Sequence, residues 1–478
     1  MRLCLAVTAL LAAGGSARAD PPQTPPSEPA PAAAPAAAEP QAPSPSELDR
    51  RLRALDAENQ RLREDLEALR QKQEESAQRT ARSEGRITGY LDVGFFRVQG
   101  NGSGVRPDVG YARFPEYRGI VPDSWVFYGD PLSTTINARG EPADTGDSRA
   151  LAFDPVDSRG ASSFIVNALD LLLFAGLGEH VSVQALVDFV PRGRDVSNPA
   201  GTSLGDFIDV KLAYVEYSAS TDWMLFSFHA GKVDPVLGVE YRVQESPDRI
   251  GVTPSLICRY TCGRPVGVKG RARFLDEALT MMLAVTNGSS VTEMFPFYGE
   301  IDRNDFKTVS GRVSYRLDLA NLEVGASGLY GAADNQPKND VVHRHVGLDL
   351  RLDVAGLELA AELVDGEIGE PAAGARAVPG QPRCADAPCL SYTGAYGQLG
   401  YRVNDWLMPY ARVDWRDAIH QSGASFVYVS DVLRATLGVH LELGTHTIAK
   451  AEYTLNRELG RLPQFPDDVF TSSLVVRF

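Results

Sequence analysis

Lys269, Arg271 and Arg273 stand at every second position of the stretch Pro265 to Phe274, with Val268, Gly270 and Ala272 between them. In an extended strand alternate side chains point to opposite faces. The three cations therefore share one face, where aligned charge of one sign can attract an anion. Two cysteines, Cys258 and Cys262, and two further cations, Arg259 and Arg264, lie just upstream. No acid falls between Cys258 and Arg273, although the 478-residue chain carries a net charge of -15.

Several chemistries are excluded by pattern. A structural zinc site needs four convergent ligands, which neither Cys258/Cys262 nor Cys384/Cys389 suggests. The glycines at 263, 267 and 270 lack the G-K-[ST] and following helix of a phosphate loop. Nucleic-acid binding calls for a basic domain. There is no H-E-x-x-H and no G-x-S-x-G. His343 and His345 are expected to be solvated rather than metal-bound. No catalytic residue, metal or cofactor is expected.

The elements that position the basic stretch follow from the rest of the chain. Residues 1–19 read as a secretory signal peptide, with Arg2, an apolar run from Leu3 to Ala13 and Ala17-Arg18-Ala19. Residues 20–46 are a Pro/Ala-rich spacer. Residues 47–85 predict a short α-helical coiled coil. Leu48, Leu55, Leu62 and Leu69 occupy one core position, and Leu52, Asn59 and Leu66 the other. Such a helix needs partners, so a homo-oligomer is expected. Four cysteines remain after the signal. They allow three connectivities, and local pairing of Cys258 with Cys262 and Cys384 with Cys389 is expected in an oxidising compartment.

From residue 86 to 478 the period is two. Val181, Val183, Ala185 and Val187 alternate with Ser182, Gln184 and Asp188; Leu433, Ala435, Leu437 and Val439 alternate with Arg434, Thr436 and His440. About sixteen such segments occur. Their connections alternate strictly between short ones and long ones, the latter including Gln99 to Gly160, Asp234 to Arg264 and Asp417 to Ser430. This predicts an antiparallel transmembrane β-barrel, apolar toward lipid and polar toward a water-filled lumen. A charge on the lipid face near the midplane costs roughly 2–4 kcal/mol, so the face of Lys269, Arg271 and Arg273 must look inward. Such a ladder in a pore favours anions. The closing strand, Phe470 to Phe478, ends on an aromatic residue. It resembles the last strand of bacterial outer-membrane barrels, whose terminal aromatic is read by the barrel-assembly machinery; Phe478 is expected to serve as that signal.

The segment His229 to Leu256, with Gly231, Lys232, Pro235, Gly238 and Glu240, resembles the phosphate-selective porin O/P family. The resemblance implies a sixteen-stranded trimer whose third loop folds inward, in some relatives behind an N-terminal coiled coil. It implies that Arg242, Arg249, Arg259 and Arg264 of that loop meet the ladder of Lys269, Arg271 and Arg273, with Lys232 as a further lining residue. The alternative for any of these arginines is an ion pair with lumen acids such as Asp188, Asp209 or Glu216. The chain departs from the family in its loop-three cysteine pair and in lacking the arginine run of the phosphate-specific members. The expected function is passive diffusion of small anions, phosphate or carboxylates, across an outer membrane with the coil in the periplasm. Two other classes stay open: a structural protein tethering the membrane to peptidoglycan or a periplasmic partner, and an outer-membrane hydrolase.

Overall fold

A computed structural model describes residues 82–99, 104–107, 125–128, 162–189, 208–287, 305–317, 321–332, 341–369, 389–422, 426–460, 464 and 468–478. The signal peptide, the spacer, the coiled-coil leucines and Cys384 lie outside them. Eighteen strands form, in chain order β1 (Arg82–Val98), β2 (Gly104–Pro107), β3 (Trp125–Tyr128), β4 (Ser162–Leu177), β5 (Val181–Phe189), β6 (Ile208–Thr221), β7 (Met224–Lys232), β8 (Val266–Phe274), β9 (Leu279–Thr286), β10 (Thr308–Leu317), β11 (Leu322–Ala332), β12 (Val342–Val354), β13 (Leu357–Ile368), β14 (Cys389–Tyr401), β15 (Leu407–Ser422), β16 (Phe426–Glu442), β17 (Thr447–Glu458) and β18 (Val469–Arg477).

Setting aside β2 and β3, each strand pairs antiparallel with the next in sequence, and β1 pairs with both β4 and β18. The wall is therefore a closed barrel of sixteen antiparallel strands. Closure leaves no free edge along the sheet. Phe478 and Gly89 exchange both backbone hydrogen bonds at 2.9 Å, sealing the last residue to the first strand.

Side chains follow the alternation of the sequence. On β15, Arg412, Asp414 and Arg416 are buried, while Val413 between them is 53% exposed. On β12, His343, His345 and Asp349 are buried, whereas Val346 and Leu348 are exposed. The barrel is thus inverted relative to a soluble fold. Its charged faces point inward and its apolar faces outward.

Three boundaries differ from the sequence reading. β1 begins at Arg82, so residues 82–85 extend the barrel rather than end a helix. The long loop expected from Asp417 to Ser430 is mostly strand, with only 423–425 between β15 and β16. The first long connection carries the β2–β3 hairpin, and β3 runs parallel to β16 at Phe426–Tyr428. β17 pairs with β16 only from Val432 onward. The protruding edge of β16 would be open without β3, which supplies the missing ladder partner.

Candidate functional site

The connection from β7 to β8 is the third long one. It lies inside the barrel, and every residue from Gly251 to Arg264 is buried. Its chemistry explains why. A loop taken out of water must satisfy its backbone polar groups, and here charged side chains on the barrel wall do so. On β17, Glu452 accepts the amides of Val252 (2.8 Å) and Thr253 (3.0 Å) and the Thr253 hydroxyl (2.5 Å). Lys450 donates to the carbonyls of Ser246, Arg249 (2.6 Å) and Gly251 (3.2 Å). On β15, Arg412 donates to Thr253 O (2.6 Å) and Pro254 O (2.9 Å), and Asp414 accepts the Leu256 amide (3.2 Å). On β13, Glu362 accepts the amides of Val239 (2.8 Å) and Glu240 (2.6 Å). On β1, Asp92 accepts the Ser246 hydroxyl (2.5 Å).

Apolar and aromatic contacts fill the gaps. Tyr260 stacks on Tyr392 at 3.7 Å between centroids, with the planes 6° apart. A Cβ on Gly394 would lie 2.6 Å from the Ile257 side chain, so only glycine lets β14 and the loop approach this closely. Cys258 and Cys262 form a disulfide, closing the single-turn helix α1 (Cys258–Thr261).

Gly238 sets the course of the loop at its start. Its φ is +65°, and a Cβ there would sit 2.1 Å from a Glu362 carboxylate oxygen. A left-handed backbone costs an L-residue about 1–2 kcal/mol before any clash. Gly238→Ala should therefore lift the first half of the loop from β13. Limited trypsinolysis is expected to cut the variant after Arg242 and Arg249 while wild type resists.

The loop leaves β7, the fifth strand of the wall, and docks on β13, β14, β15, β17 and β1, roughly half a turn around the barrel from β8. The space it leaves lies along β6–β11. There a cavity of about 450 Å³ is lined by Arg242, Lys269, Arg271, Arg273 and Arg316, by Glu216, Asp234, Glu277 and Glu323, and by Tyr214, His229, Tyr241, Thr280 and Met282. Lys269, Arg271 and Arg273 are two residues apart on one strand, hence about 7 Å per step.

Leaving His229 aside, five cations face four carboxylates, so the wall is mixed and only slightly positive. The pairs decide what remains. Arg273 is bound to Glu277 at 2.5 Å. Arg242 grips both oxygens of Glu323, at 2.8 and 3.0 Å. Lys269 donates to the Asp234 carbonyl at 3.0 Å. Among the described residues, no hydrogen bond or ion pair engages the guanidinium of Arg271 or of Arg316. Lys269 meets only a neutral carbonyl, and on the acidic side Glu216 has His229 at 3.6 Å, so the wall keeps a small positive excess to which Arg271 and Arg316 contribute.

The residues singled out in the sequence thus divide. Arg242, Lys269, Arg271 and Arg273 share the cavity wall. Arg259, expected to line the channel, is wholly buried between loop and barrel. Arg264 is pinned by Asp234 (3.1 Å) and Glu245 (2.6 Å) behind the ladder. Arg249 turns back to the Gln244 carbonyl (3.0 Å), and Lys232 ends β7 outside this wall. His343 and His345, expected in solvent, are buried behind the loop with the Tyr392 hydroxyl between them, at 3.0 and 2.8 Å. Arg316 and Glu323 were legible only as ordinary lumen-facing alternates.

Two loop carboxylates show how the field is balanced. Burial alone would push Glu245 up, but Lys211 and Arg264 outweigh it and hold this group well below the usual carboxylate range. Burial pushes Glu240 up, opposed by Arg412 and by hydrogen bonds from Ser255.

No family model matches the chain, nor does any curated protein. Among solved structures the barrel is similar to the outer membrane channel DcaP of Acinetobacter baumannii, at 11% identity and a TM-score of 0.47, over 83% of this chain and 97% of that one. It is similar to Salmonella typhi OmpF in complex with daunomycin, at 11% and 0.46, over 84% and 99%. It is also similar to an anion-selective porin from Comamonas acidovorans, at 10% and 0.43, over 83% and 99%.

Proposed function

We propose that this protein is an outer-membrane channel through which small solutes diffuse passively, anions in preference to cations. The membrane reading rests on the outer surface. Strands β5, β7 and β8 are nine residues long, which at about 3.3 Å per residue and a tilt near 40° spans roughly 23 Å, the height of an outer-membrane apolar band. Aromatic side chains gather at both ends of the wall. Trp223 and Phe274 stack at the short-turn end, and Phe95 packs against Phe164 and Phe470 at the other. Such paired belts suit the two interfaces of a bilayer.

The observation that carries the anion reading is the cavity between loop three and β8, where five Lys/Arg side chains outnumber four carboxylates and no ion pair engages Arg271 or Arg316 among the described residues. A guanidinium keeps its charge at every working pH. In a narrow lumen it lowers the barrier for an anion and raises it for a cation. Phosphate and carboxylates fit that chemistry. The terminal Phe478 as an assembly signal, the trimer, the coil's periplasmic role and the Cys384–Cys389 pair belong to the same proposal.

Liposome swelling tests the reading. Vesicles carrying the protein should swell in small solutes, faster in potassium acetate than in the chloride salt of a cationic amine of similar size. Vesicles that do not swell, or that swell faster with the amine, would contradict it.

A further inference from the structure

The grip of Arg242 on Glu323 differs from the other pairs in the passage. Arg242 belongs to loop three, in the 3-10 turn Glu240–Val243, and Glu323 to the barrel wall on β11. The guanidinium holds the carboxylate as a two-pronged fork, Nη1 to Oε2 at 2.8 Å and Nη2 to Oε1 at 3.0 Å. This planar match of two donors to two oxygens is what arginine offers a carboxylate and a spherical ion does not need. The Glu323 Oε1 also accepts Nη2 of Arg312 at 2.8 Å.

The two arginines are not equally dependent on Glu323. Arg312 is buried and is held without it, by both oxygens of Asp349 at 2.9 and 2.5 Å and by the Ser314 hydroxyl at 3.0 Å. Arg242 has a part-exposed side chain, 29%, on the cavity wall, and Glu323 is its carboxylate partner there. The Arg242 side of the pair faces the cavity, so a solute anion can reach the guanidinium there. If Glu323 lets go of Arg242 it still rests on Arg312.

We propose that the Arg242 fork is a carboxylate-binding station on the passage, and that Glu323 is its resident occupant, the protein's own carboxylate standing where a permeating one binds. A solute carboxylate entering along the ladder takes the fork, Glu323 falls back on Arg312, and the return of Glu323 drives the solute on. The seated group names the class: a small organic carboxylate rather than a halide. This rests on the anion reading above.

The test is block of chloride current by acetate, in planar bilayers at constant ionic strength. Glu323→Gln keeps the shape of the side chain and a hydrogen-bond acceptor for Arg312 but removes the competing charge. It should lower the acetate concentration that halves the chloride current at least fivefold. Arg242→Lys added to Glu323→Gln keeps a charge but not the fork, and should abolish that gain. An unchanged half-blocking concentration in Glu323→Gln overturns the station, as does a gain that survives Arg242→Lys. An equal gain for inorganic phosphate overturns the restriction to carboxylates. Strand content by circular dichroism, equal to wild type in each variant, shows that the barrel is intact. A cation-preferring zero-current potential would sink the anion reading instead, and the acetate comparison would still decide the station.

Discussion

Replacing Arg412 with alanine should widen the passage. Arg412 lies fully inside, between β15 and the middle of loop three, where it serves two carbonyls and the Thr253 hydroxyl and pairs with Asp414 at 2.9 Å. Removing one partner of a buried pair costs about 3–5 kcal/mol, because the other charge is left uncompensated. Asp414 would keep only the Leu256 amide on the loop side. A loss of that size shifts the balance of docked and undocked loop by roughly two to four powers of ten. The barrel itself is spared, since its ladder bonds are elsewhere. Arg412→Ala should therefore show higher and noisier single-channel conductance, with strand content unchanged by circular dichroism. A variant with wild-type conductance and quiet traces would mean that the loop is not held by these contacts.

Reversing Arg271 should invert selectivity. Its guanidinium faces the cavity with no hydrogen bond or ion pair among the described residues, and the nearest opposing charge is Glu216 on the same wall. Two unit charges about 4 Å apart in bulk water interact by about 1 kcal/mol. Arg271→Glu then raises the barrier for a passing anion by about 2 kcal/mol and lowers that for a cation by the same amount. Salt screens part of this. Even 1 kcal/mol of net effect is a roughly fivefold change in the permeability ratio. Reversing Arg273 should do less, because Glu277 already offsets its charge.

Much of this could be read from the chain because a barrel strand has to satisfy lipid on one side and water on the other. Val346 and Leu348 against His345 and Asp349 leave no other register. The alternation of short and long connections located strand β8 to within one residue. The reading failed where that constraint is absent. The upper parts of β15 and β16 rise beyond β17, and Asp417 and Ser430 there need not obey the lipid rule, so they looked like loop. Arg242 and Arg259 looked alike in sequence, because charge alone does not say which way a loop residue turns. Glu362, Asp414, Glu452 and Lys450 read as ordinary lumen residues. Their role as the seat of loop three appears only when closure puts their strands opposite β8. The pairing of Arg242 with Glu323 is likewise a property of the closed barrel, since the two are 81 residues apart.

We propose that loop three leaves open a passage whose net charge is positive, with Arg271 facing it at its middle. The zero-current potential across a planar bilayer in a potassium chloride gradient tests it most directly, measured on wild type and Arg271→Glu side by side. Wild type should show a potential of the sign set by chloride, and the variant one of the opposite sign or close to zero. A cation-selective wild type, or the same potential for both proteins, would contradict it.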